Sequence, residues 1–236
     1  VEQKAAHDYV SYVDKASEKR IVERLHELLP EAGFIAEEGS GSLEEQEYCW
    51  VVDPLDGTSN YIHDCAPYCV SIALRNREEI LLGVVYECVR EELFWANKNS
   101  RAYLNGKEIC VSDQSVLDQS FIMPELPYKA ERYSPFILPL MRDLYGHVSG
   151  IRMLGSAAAE LCYVAAGRFE IFIEAFLGPW DIAAGYIILK QAGGRMTDFS
   201  GNSNGPDAKE VLASNGKVHE ELLKVLQRHK KLLKHE

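Results

Sequence analysis

The sequence has no long apolar run, no excess of positive charge and no N-terminal pattern of a signal peptide. No apolar stretch approaches the roughly 18 residues that a transmembrane helix requires. Its 25 lysine and arginine residues are outnumbered by 36 acidic ones, which gives a net charge of −11. That balance argues against general nucleic-acid binding, because Lys and Arg neutralise phosphate backbones. These absences predict a cytoplasmic protein with neither a membrane nor a nucleic-acid partner.

The six cysteines form no CxxC pair and have no spacing to histidine that suits zinc. Four of them lie inside apolar runs: Cys49, Cys69, Cys88 and Cys162. We therefore expect free thiols in a reducing compartment. With 236 residues, 47% of them apolar, the chain is long enough to bury a sizeable core.

The first half of the chain predicts a helix that leads into a sheet. Asp14 stands where an N-cap is expected, and apolar residues then recur at helical spacing until Pro30. Asn105 and Gly106 lie between two strand-like runs and indicate a tight hairpin. The sheet is expected to be antiparallel, with strands at 34–36, 50–52, 68–74 and 80–86.

In the second half, predicted strands and helices alternate. The strands are expected at 121–126, 169–174 and 210–215, and the helices at 134–147, from Ser156 to Gly167, over "WDIAAGYIILKQA" and from about Lys217. The sum is a layered α/β or α+β fold. Because no Gly-, Ser- or Pro-rich linker divides the chain, we expect one catalytic domain over 1–236, with an α+β half of about 1–115 and an α/β half of about 116–236.

Acidic residues end one predicted strand in the stretch "WVVDPLDGT". Asp53 and Asp56 follow the apolar run, and Pro54 fixes the backbone as it turns, so the two carboxylates converge. Unpaired carboxylates repel, and a shared proton or a cation must separate them. Hard oxygen ligands at this spacing suit Mg²⁺, with the Leu55 carbonyl as a further ligand. Gly57 allows close approach of the backbone to a phosphate.

Each acid also has a purely structural explanation. Asp, Pro and Gly are the residues of any tight turn, and Asp181 in "PWDIAAG" lies in the first turn of a helix, where the dipole favours acid. A further acidic pair, Glu37 and Glu38 in "FIAEEGS", follows another short strand. Three acidic strand or helix ends in one chain favour a shared metal site over three unrelated turns.

The motifs "WVVDPLDGTSNYIH", "WDIAAG" and "FIAEEGS", in this order and spacing, resemble the inositol monophosphatase family of magnesium-dependent, lithium-sensitive sugar-phosphate phosphatases. The likeness extends from "YVSYVDKASEK" through "GSAAAELCYVAAG" to "VLASN". It implies an alternating αβαβα sandwich of the inositol monophosphatase and fructose-1,6-bisphosphatase type. It also implies a homodimer and a hydrolase with two or three Mg²⁺ ions in each active site.

The resemblance assigns roles residue by residue. The metal ligands it implies are Glu37, Asp53, the Leu55 carbonyl, Asp56 and Asp181. The residues it implies for activation of the attacking water are Asp14, Glu37 and Thr58. Those it implies for substrate contact are Asp56, Gly57, Thr58, Ala157, Glu174 and Asp181. The reaction is then hydrolysis of myo-inositol monophosphate, or a related polyol phosphate, by a metal-activated water.

Alternatives within the same superfamily remain open. A fructose-1,6-bisphosphatase needs cations for its second phosphate, and Arg152 or Arg168 are candidates. A 3′-phosphoadenosine 5′-phosphate phosphatase usually shows Lys-Glu after "DGT" and a histidinol-phosphate phosphatase Arg, whereas this chain has Ser59 and Asn60. An alternative of another class is a regulatory binding protein that retains the fold and uses the basic final helix. The complete acid set argues against it.

Overall fold

The computed structural model describes residues 2–5, 8–41, 46–203 and 205–230. The helices are α1 (Tyr12–Leu28), α2 (Thr58–Ile62), α3 (Ala130–Leu144), α4 (Ala157–Ala165), α5 (Pro179–Gln191) and α6 (His219–Lys230). The strands are β1 (Glu2–Ala5), β2 (Asp8–Val10), β3 (Gly33–Ala36), β4 (Tyr48–Asp56), β5 (Cys69–Asn76), β6 (Ile80–Glu87), β7 (Glu92–Asn97), β8 (Ala102–Leu104), β9 (Lys107–Ile109), β10 (Phe121–Pro124), β11 (Gly150–Ile151), β12 (Ile171–Ala175), β13 (Arg195–Thr197) and β14 (Glu210–Ser214). Among these helices, none is both long and apolar enough to cross a membrane.

The described strands form a β1-β2 pair, a seven-stranded sheet and a five-stranded sheet. The large sheet has the order β3-β4-β5-β6-β7-β8-β9, and the smaller one β11-β10-β12-β14-β13. The expectation of an antiparallel first sheet was wrong for one pair, since β3 runs parallel to β4. Parallel strands need a connection that runs from the end of one strand back to the level at which it began. Residues 37–47, between β3 and β4, are numerous enough for such a connection.

Side-chain alternation along β4 explains why the sheet is covered on both faces. Trp50 and Val52 pack with Leu25 of α1 on one face, whereas Val51 packs on the other face against the core that includes α4 and α5. Successive residues of a strand point to opposite faces. A strand covered on both faces reads as a continuous apolar run, as "CWVV" does.

Helices α4 and α5 lie between the two sheets, and α5 packs closely on the large one. Gly83 of β6 makes this approach possible, because a Cβ there would lie 2.7 Å from the Ala184 carbonyl oxygen of α5. On the far side of the small sheet, α3 and α6 bury a second core around Phe136, Leu140 and Leu222. The layers therefore alternate helix, sheet, helix, sheet, helix, which confirms the predicted αβαβα sandwich.

Two predicted helix boundaries were wrong. Helix α1 is capped by Ser11 rather than Asp14: Asp14 is its third residue and completes a capping box. Helix α3 spans Ala130–Leu144 instead of 134–147 and contains Pro135 and Pro139. The predicted final helix is α6, and its apolar positions beyond Lys230, Leu232 and Leu233, lie outside the described residues. All six cysteines are free thiols, as expected.

Candidate active site

A cavity of about 380 Å³ opens where the C-terminal ends of β4 and β12 meet the beginnings of α4 and α5. Its lining includes every predicted site residue except Asp14: Glu37, Asp53, Leu55, Asp56, Gly57, Thr58, Ala157, Glu174 and Asp181. Residues far apart in the chain meet here because the two sheets present their strand ends on the same side of α4 and α5.

Asp53, Asp56 and Asp181 form the centre of the cavity. Carboxylate oxygens of the three residues all lie within 4.8 Å of one another. Asp53 and Asp181 each also use one oxygen to fix the local backbone. Asp53 Oδ1 accepts the Leu55 N–H at 2.9 Å, and Asp181 Oδ2 accepts the Gly178 N–H at 2.7 Å to cap α5. The structural and functional explanations of Asp181 are therefore compatible.

Burial and mutual repulsion dominate the electrostatics of this centre. Asp53 is 1% exposed, and burial raises its pKa well above the usual range, followed by the charges of Glu37, Asp56 and Asp181. Burial likewise raises the pKa of Asp181, and the charge of Asp56 raises it further. Without a cation, burial and this repulsion disfavour the state in which all three carboxylates are charged.

Asp56 is oriented by the beginning of α4. Its Oδ2 accepts the Ser156 hydroxyl at 2.7 Å and the Ala158 N–H at 2.8 Å. These bonds lower the pKa of Asp56 and oppose the effect of burial, which raises it. Ser156 occupies the N-cap position of α4, as predicted, yet its hydroxyl makes no bond to its own helix. No local sequence pattern indicates that this hydroxyl serves Asp56.

Asp14 lies behind the cavity wall and contacts it through Thr58. The Thr58 hydroxyl lies 2.9 Å from Asp14 Oδ1 and 3.0 Å from the Leu55 carbonyl oxygen. The other oxygen of Asp14 accepts both the N–H and the hydroxyl of Ser11, at 2.8 and 2.6 Å. Asp14 is fully buried, so the structure gives it the helix-capping bond and the Thr58 contact together.

Glu37 reaches the centre because β3 and β4 are parallel and end at the same edge. Ala36 pairs with Val52, so Glu37 follows β3 next to Asp53. Glu18 of α1 holds the loop that follows Glu37. Its side chain is 1% exposed and accepts the N–H groups of Glu38 and Ser40 at 2.7 and 2.9 Å. Glu18 escaped the sequence analysis, since nothing in a helical pattern marks an inward acid.

The outer part of the cavity carries a second pair of acids. Glu174 lies on β12, the middle strand of the small sheet, rather than on an edge strand in solvent. Burial raises its pKa well above the usual range, and the charges of Glu125 and Asp181 add to this. Glu125 directly follows β10 just as Glu37 follows β3, so acid at a strand end was the signal that could have identified it.

An aromatic and aliphatic rim closes the same side. Tyr128, Phe176 and Leu126 line the cavity and are about half exposed. Phe176 has a left-handed backbone with φ of 71°, and the Lys129 ammonium lies 4.3 Å from the centre of its ring. Leu126 and Tyr128 come from the segment after β10, whereas Phe176 directly follows β12.

Neither arginine suggested for a second phosphate lines this cavity. Arg168 forms a bidentate ion pair with Glu92, in which Nη1 lies 2.7 Å from Oε2 and Nη2 lies 2.6 Å from Oε1. The Arg152 guanidinium stacks over Phe121 at 4.8 Å. Among the described residues, the cations proposed for a bisphosphate are therefore committed to other contacts.

The residues of the centre fit a Mg²⁺ ion. All of their donors are carboxylate or carbonyl oxygens, which are the ligands that Mg²⁺ prefers. In an octahedron with Mg–O distances of about 2.1 Å, neighbouring and opposite oxygens are about 3 and 4 Å apart, and the 4.8 Å limit on the present spacing needs only a small contraction. A divalent cation would also remove the repulsion that raises the pKa of Asp53.

A five-layered αβαβα fold with carboxylates gathered at the strand ends defines the class of metal-dependent phosphatases to which this site corresponds. The sequence model of the inositol monophosphatase family matches residues 1–231. The chain belongs to this family, whose members are phosphatases that generally depend on Mg²⁺ and act on small phosphorylated molecules.

Known proteins similar to this chain carry several names. It is 38% identical to the Nus factor SuhB of Pseudomonas aeruginosa over 234 residues, which are 97% of this chain and 86% of the relative. It is 37% identical to a fructose-1,6-bisphosphatase/inositol-1-monophosphatase of Aquifex aeolicus over 229 residues, 97% of this chain and 86% of that protein. The solved structure of an inositol monophosphatase from Thermotoga maritima superposes with a TM-score of 0.90 at 33% identity, covering 98% and 88% of the two chains.

Proposed function

We propose that this protein, acting as a single catalytic domain, is a Mg²⁺-dependent phosphomonoesterase that hydrolyses myo-inositol monophosphate or a closely related polyol phosphate. The observation that carries the proposal is one cavity that joins the Asp53, Asp56 and Asp181 carboxylates at its base to Glu174 and Ala157 at its outer part. The base suits a phosphate bound through metal, and the outer part suits a polyol.

Glu37, Asp53, the Leu55 carbonyl, Asp56 and Asp181 would hold two or three Mg²⁺ ions. Bound Mg²⁺ supplies charge neutralisation for the phosphate and lowers the pKa of the attacking water. The N–H groups of Gly57 and Thr58 donate to phosphate oxygens, and Gly57 can do so because its φ of 87° turns the backbone into the cavity.

The Asp14–Thr58 pair takes part in proton transfer. The water oxygen bonds to phosphorus while the bond from phosphorus to the ester oxygen breaks. The proton released by the water passes to Thr58 Oγ1, whose own proton passes to Asp14 Oδ1, an oxygen 2.9 Å away. The departing alcohol oxygen takes up a proton from solvent. Because water attacks phosphorus directly, no covalent enzyme intermediate is needed.

Glu174 confers the preference for a polyol. A carboxylate at this position accepts hydrogen bonds from two neighbouring hydroxyl groups of a ring, and Ala157 leaves room for the ring beside it. Deprotonation of Glu174 is disfavoured in the empty cavity, because burial raises its pKa. A substrate with paired hydroxyl donors stabilises the anion, whereas an apolar alcohol does not.

A substrate panel tests the proposal. The purified chain is assayed with Mg²⁺ on inositol 1-phosphate, fructose 1,6-bisphosphate and 3′-phosphoadenosine 5′-phosphate, with and without millimolar Li⁺. We expect the highest kcat/KM on inositol 1-phosphate and inhibition by Li⁺. Preferred turnover of either bisphosphate would replace the proposed substrate, and loss of Li⁺ sensitivity would weaken the proposed mechanism.

The variant Asp53→Asn tests the metal site itself. We expect loss of at least about 1,000-fold in kcat/KM, about 4 kcal/mol, because the neutral amide cannot supply the negative charge that would hold the cation. Asp113→Asn is the matched control, since Asp113 is an exposed acid paired with Lys217 outside the cavity. Near-normal turnover by Asp53→Asn would refute the metal assignment.

A second candidate function, regulatory binding, is favoured by the name Nus factor carried by the similar protein of Pseudomonas aeruginosa. The exposed Lys224 and Arg228 of α6 could contribute to such a surface. The two functions are compatible, because α6 packs on α3 on the far side of the small sheet from α4 and α5. An inactive wild-type chain in the substrate panel would favour the binding function alone.

A further inference from the structure

Two side chains that take no part in the proposed reaction, Asn60 and Glu125, hold the short segment that leads into α4. Asn60 Nδ2 donates to the Leu154 carbonyl at 2.6 Å and to the Pro67 carbonyl at 2.7 Å. Glu125 Oε1 accepts the Leu154 N–H at 2.7 Å. The N–H and the carbonyl of Leu154 are thus both fixed, the first by Glu125 after the end of β10 and the second by Asn60 of α2.

What this segment positions is the pair of donors that orient Asp56. Ser156 and Ala158 lie two and four residues after Leu154, and both donate to Asp56 Oδ2. The Cys69 thiol lies 3.6 Å from the same oxygen. Since these donors converge on Oδ2, Oδ1 is the oxygen that they leave for a ligand in the cavity. A shift of the segment would rotate the carboxylate.

A buried carboxyl group behind Glu125 supports its role as an acceptor. Glu160 is fully buried, and its Oε1 has no hydrogen-bond partner among the described residues. Burial and the charge of Glu125 raise the pKa of Glu160 well above the usual range. Burial also raises the pKa of Glu125, but hydrogen bonds from Glu160 and from the N–H groups of Leu154 and Gly155 oppose that rise.

We propose that Asn60 and Glu125 are positioning residues that align Asp56 for the cation, acting through residues 154–158. The inference rests on the proposed function, because the cation is the Mg²⁺ of that site. Neither side chain needs to touch the metal. Their effect is transmitted by two backbone hydrogen bonds at Leu154 and two further bonds to Asp56 Oδ2.

Calorimetric titration of Mg²⁺, without substrate, measures this effect directly. We expect Asn60→Ala and Glu125→Ala each to raise the Kd for Mg²⁺ by about tenfold, the equivalent of one well-formed hydrogen bond to a charged or buried group. Glu125→Gln should remain within about threefold of wild type, because its amide oxygen accepts the same Leu154 N–H. A tenfold loss in Glu125→Gln would instead show that the carboxylate charge acts on the cation.

Two matched controls repeat the same chemistry at the other end of β12. Glu170 is a buried carboxylate that accepts the Phe121 N–H at 2.6 Å, and Asn215 is a buried amide that donates to the Gln114 carbonyl at 2.7 Å. We expect Glu170→Ala and Asn215→Ala to lower thermal stability while leaving the Kd for Mg²⁺ unchanged. Equal changes of Kd in these controls would reduce the effect to general destabilisation and overturn the inference.

A double-variant cycle covers the case in which one alanine variant folds poorly. Ser156→Ala removes one of the two hydrogen bonds through which residues 154–158 orient Asp56. Its effect on Kd should therefore be non-additive with that of Asn60→Ala or Glu125→Ala. Fully additive effects would show that Asn60 and Glu125 do not act through these residues, and would overturn the inference. Failure of the wild-type chain to bind Mg²⁺ would overturn the proposed function together with this inference, whereas unchanged Kd in variants of an active, Mg²⁺-binding protein would overturn the inference alone.

Discussion

At the level of single residues, each aspartate of the site uses one carboxylate oxygen for a structural hydrogen bond. Asp14, Asp53 and Asp181 each give one oxygen to a local backbone N–H, at 2.8, 2.9 and 2.7 Å. Asp56 gives one oxygen to donors from α4. A carboxylate has two oxygens and about four acceptor positions, so one side chain can fix a turn or a helix end and still face the cavity. This division lowers the cost of gathering acids, because each is partly stabilised by its own bonds.

Phe176 is the strained residue of the site. Its φ of 71° lies in the left-handed region, which costs a bulky side chain about 1–2 kcal/mol. We expect Phe176→Gly to raise the free energy of unfolding by about 1 kcal/mol, as measured by urea denaturation. Phe176→Ala is the control, since it removes the ring without relieving the backbone and should give no gain. A loss of stability in both variants would show that the Lys129 contact outweighs the strain.

At the scale of the element, helix beginnings are concentrated at the cavity. Helices α2, α4 and α5 begin with residues that line it, among them Thr58, Ala157 and Asp181. The N–H groups and the dipole at a helix beginning favour anions. This arrangement offsets part of the repulsion among the carboxylates and favours a phosphate in the same place.

The beginning of α6, outside the cavity, contains a pH-sensitive residue. His219 is fully buried between the Ser214 and Thr197 hydroxyls, at 2.8 and 3.0 Å. Burial, with help from the charge of Arg195 and against that of Glu220, lowers its pKa to about 4. Because the folded-state pKa lies below the unfolded value of about 6.5, its contribution to stability is complete above that pH and is lost as pH falls towards 4.

We expect His219 to account for about 2–3 kcal/mol of the stability that the protein loses between about pH 7 and pH 4. Urea denaturation at both ends of this range measures the loss in the wild type and in His219→Gln. The variant should be less stable at neutral pH and should show a shallower pH dependence. Parallel profiles for the two proteins would contradict the assignment, because the carboxylates titrate equally in both.

At the scale of the whole molecule, the site bridges the two halves of the chain. Asp53 and Asp56 extend from the large sheet, whereas Asp181 comes from α5, after the small sheet has begun. Further bonds cross the same boundary: Ser71 donates to the Trp180 carbonyl at 3.1 Å, and Arg168 pairs with Glu92. A cation among the three aspartates would therefore link both halves.

Mg²⁺ should stabilise the folded protein measurably. At a concentration about 100 times its Kd, one bound ion contributes about 2.7 kcal/mol, which for a chain of this size raises Tm by about 5–10 °C. Scanning calorimetry with Mg²⁺ and then with excess EDTA measures the rise and its reversal. Asp53→Asn should show no rise. An equal rise in that variant would place the stabilising ion elsewhere.

Much of the fold could be predicted because its signals are local. The apolar run "WVV" at 50–52 indicated a strand, and β4 contains it. The helical spacing after Asp14 indicated α1, but the cap was wrong. Ser and Asp both suit an N-cap, and Ser11 is the residue with the extended backbone of a cap. The parallel pairing of β3 with β4 was missed, since an apolar run does not encode its direction relative to its neighbour.

The site, like the fold, has features that local sequence predicts and features that depend on long-range packing. Which acids end strands or begin helices can be read from local sequence, because turn chemistry and periodicity act over a few residues. That the Ser156 hydroxyl orients Asp56, that Asn60 holds Leu154 and that Glu125 enters the cavity follows from long-range packing. The first two contacts join residues 100 and 94 positions apart. Contacts over such separations depend on how the two sheets pack around α4 and α5, and no local pattern records that packing.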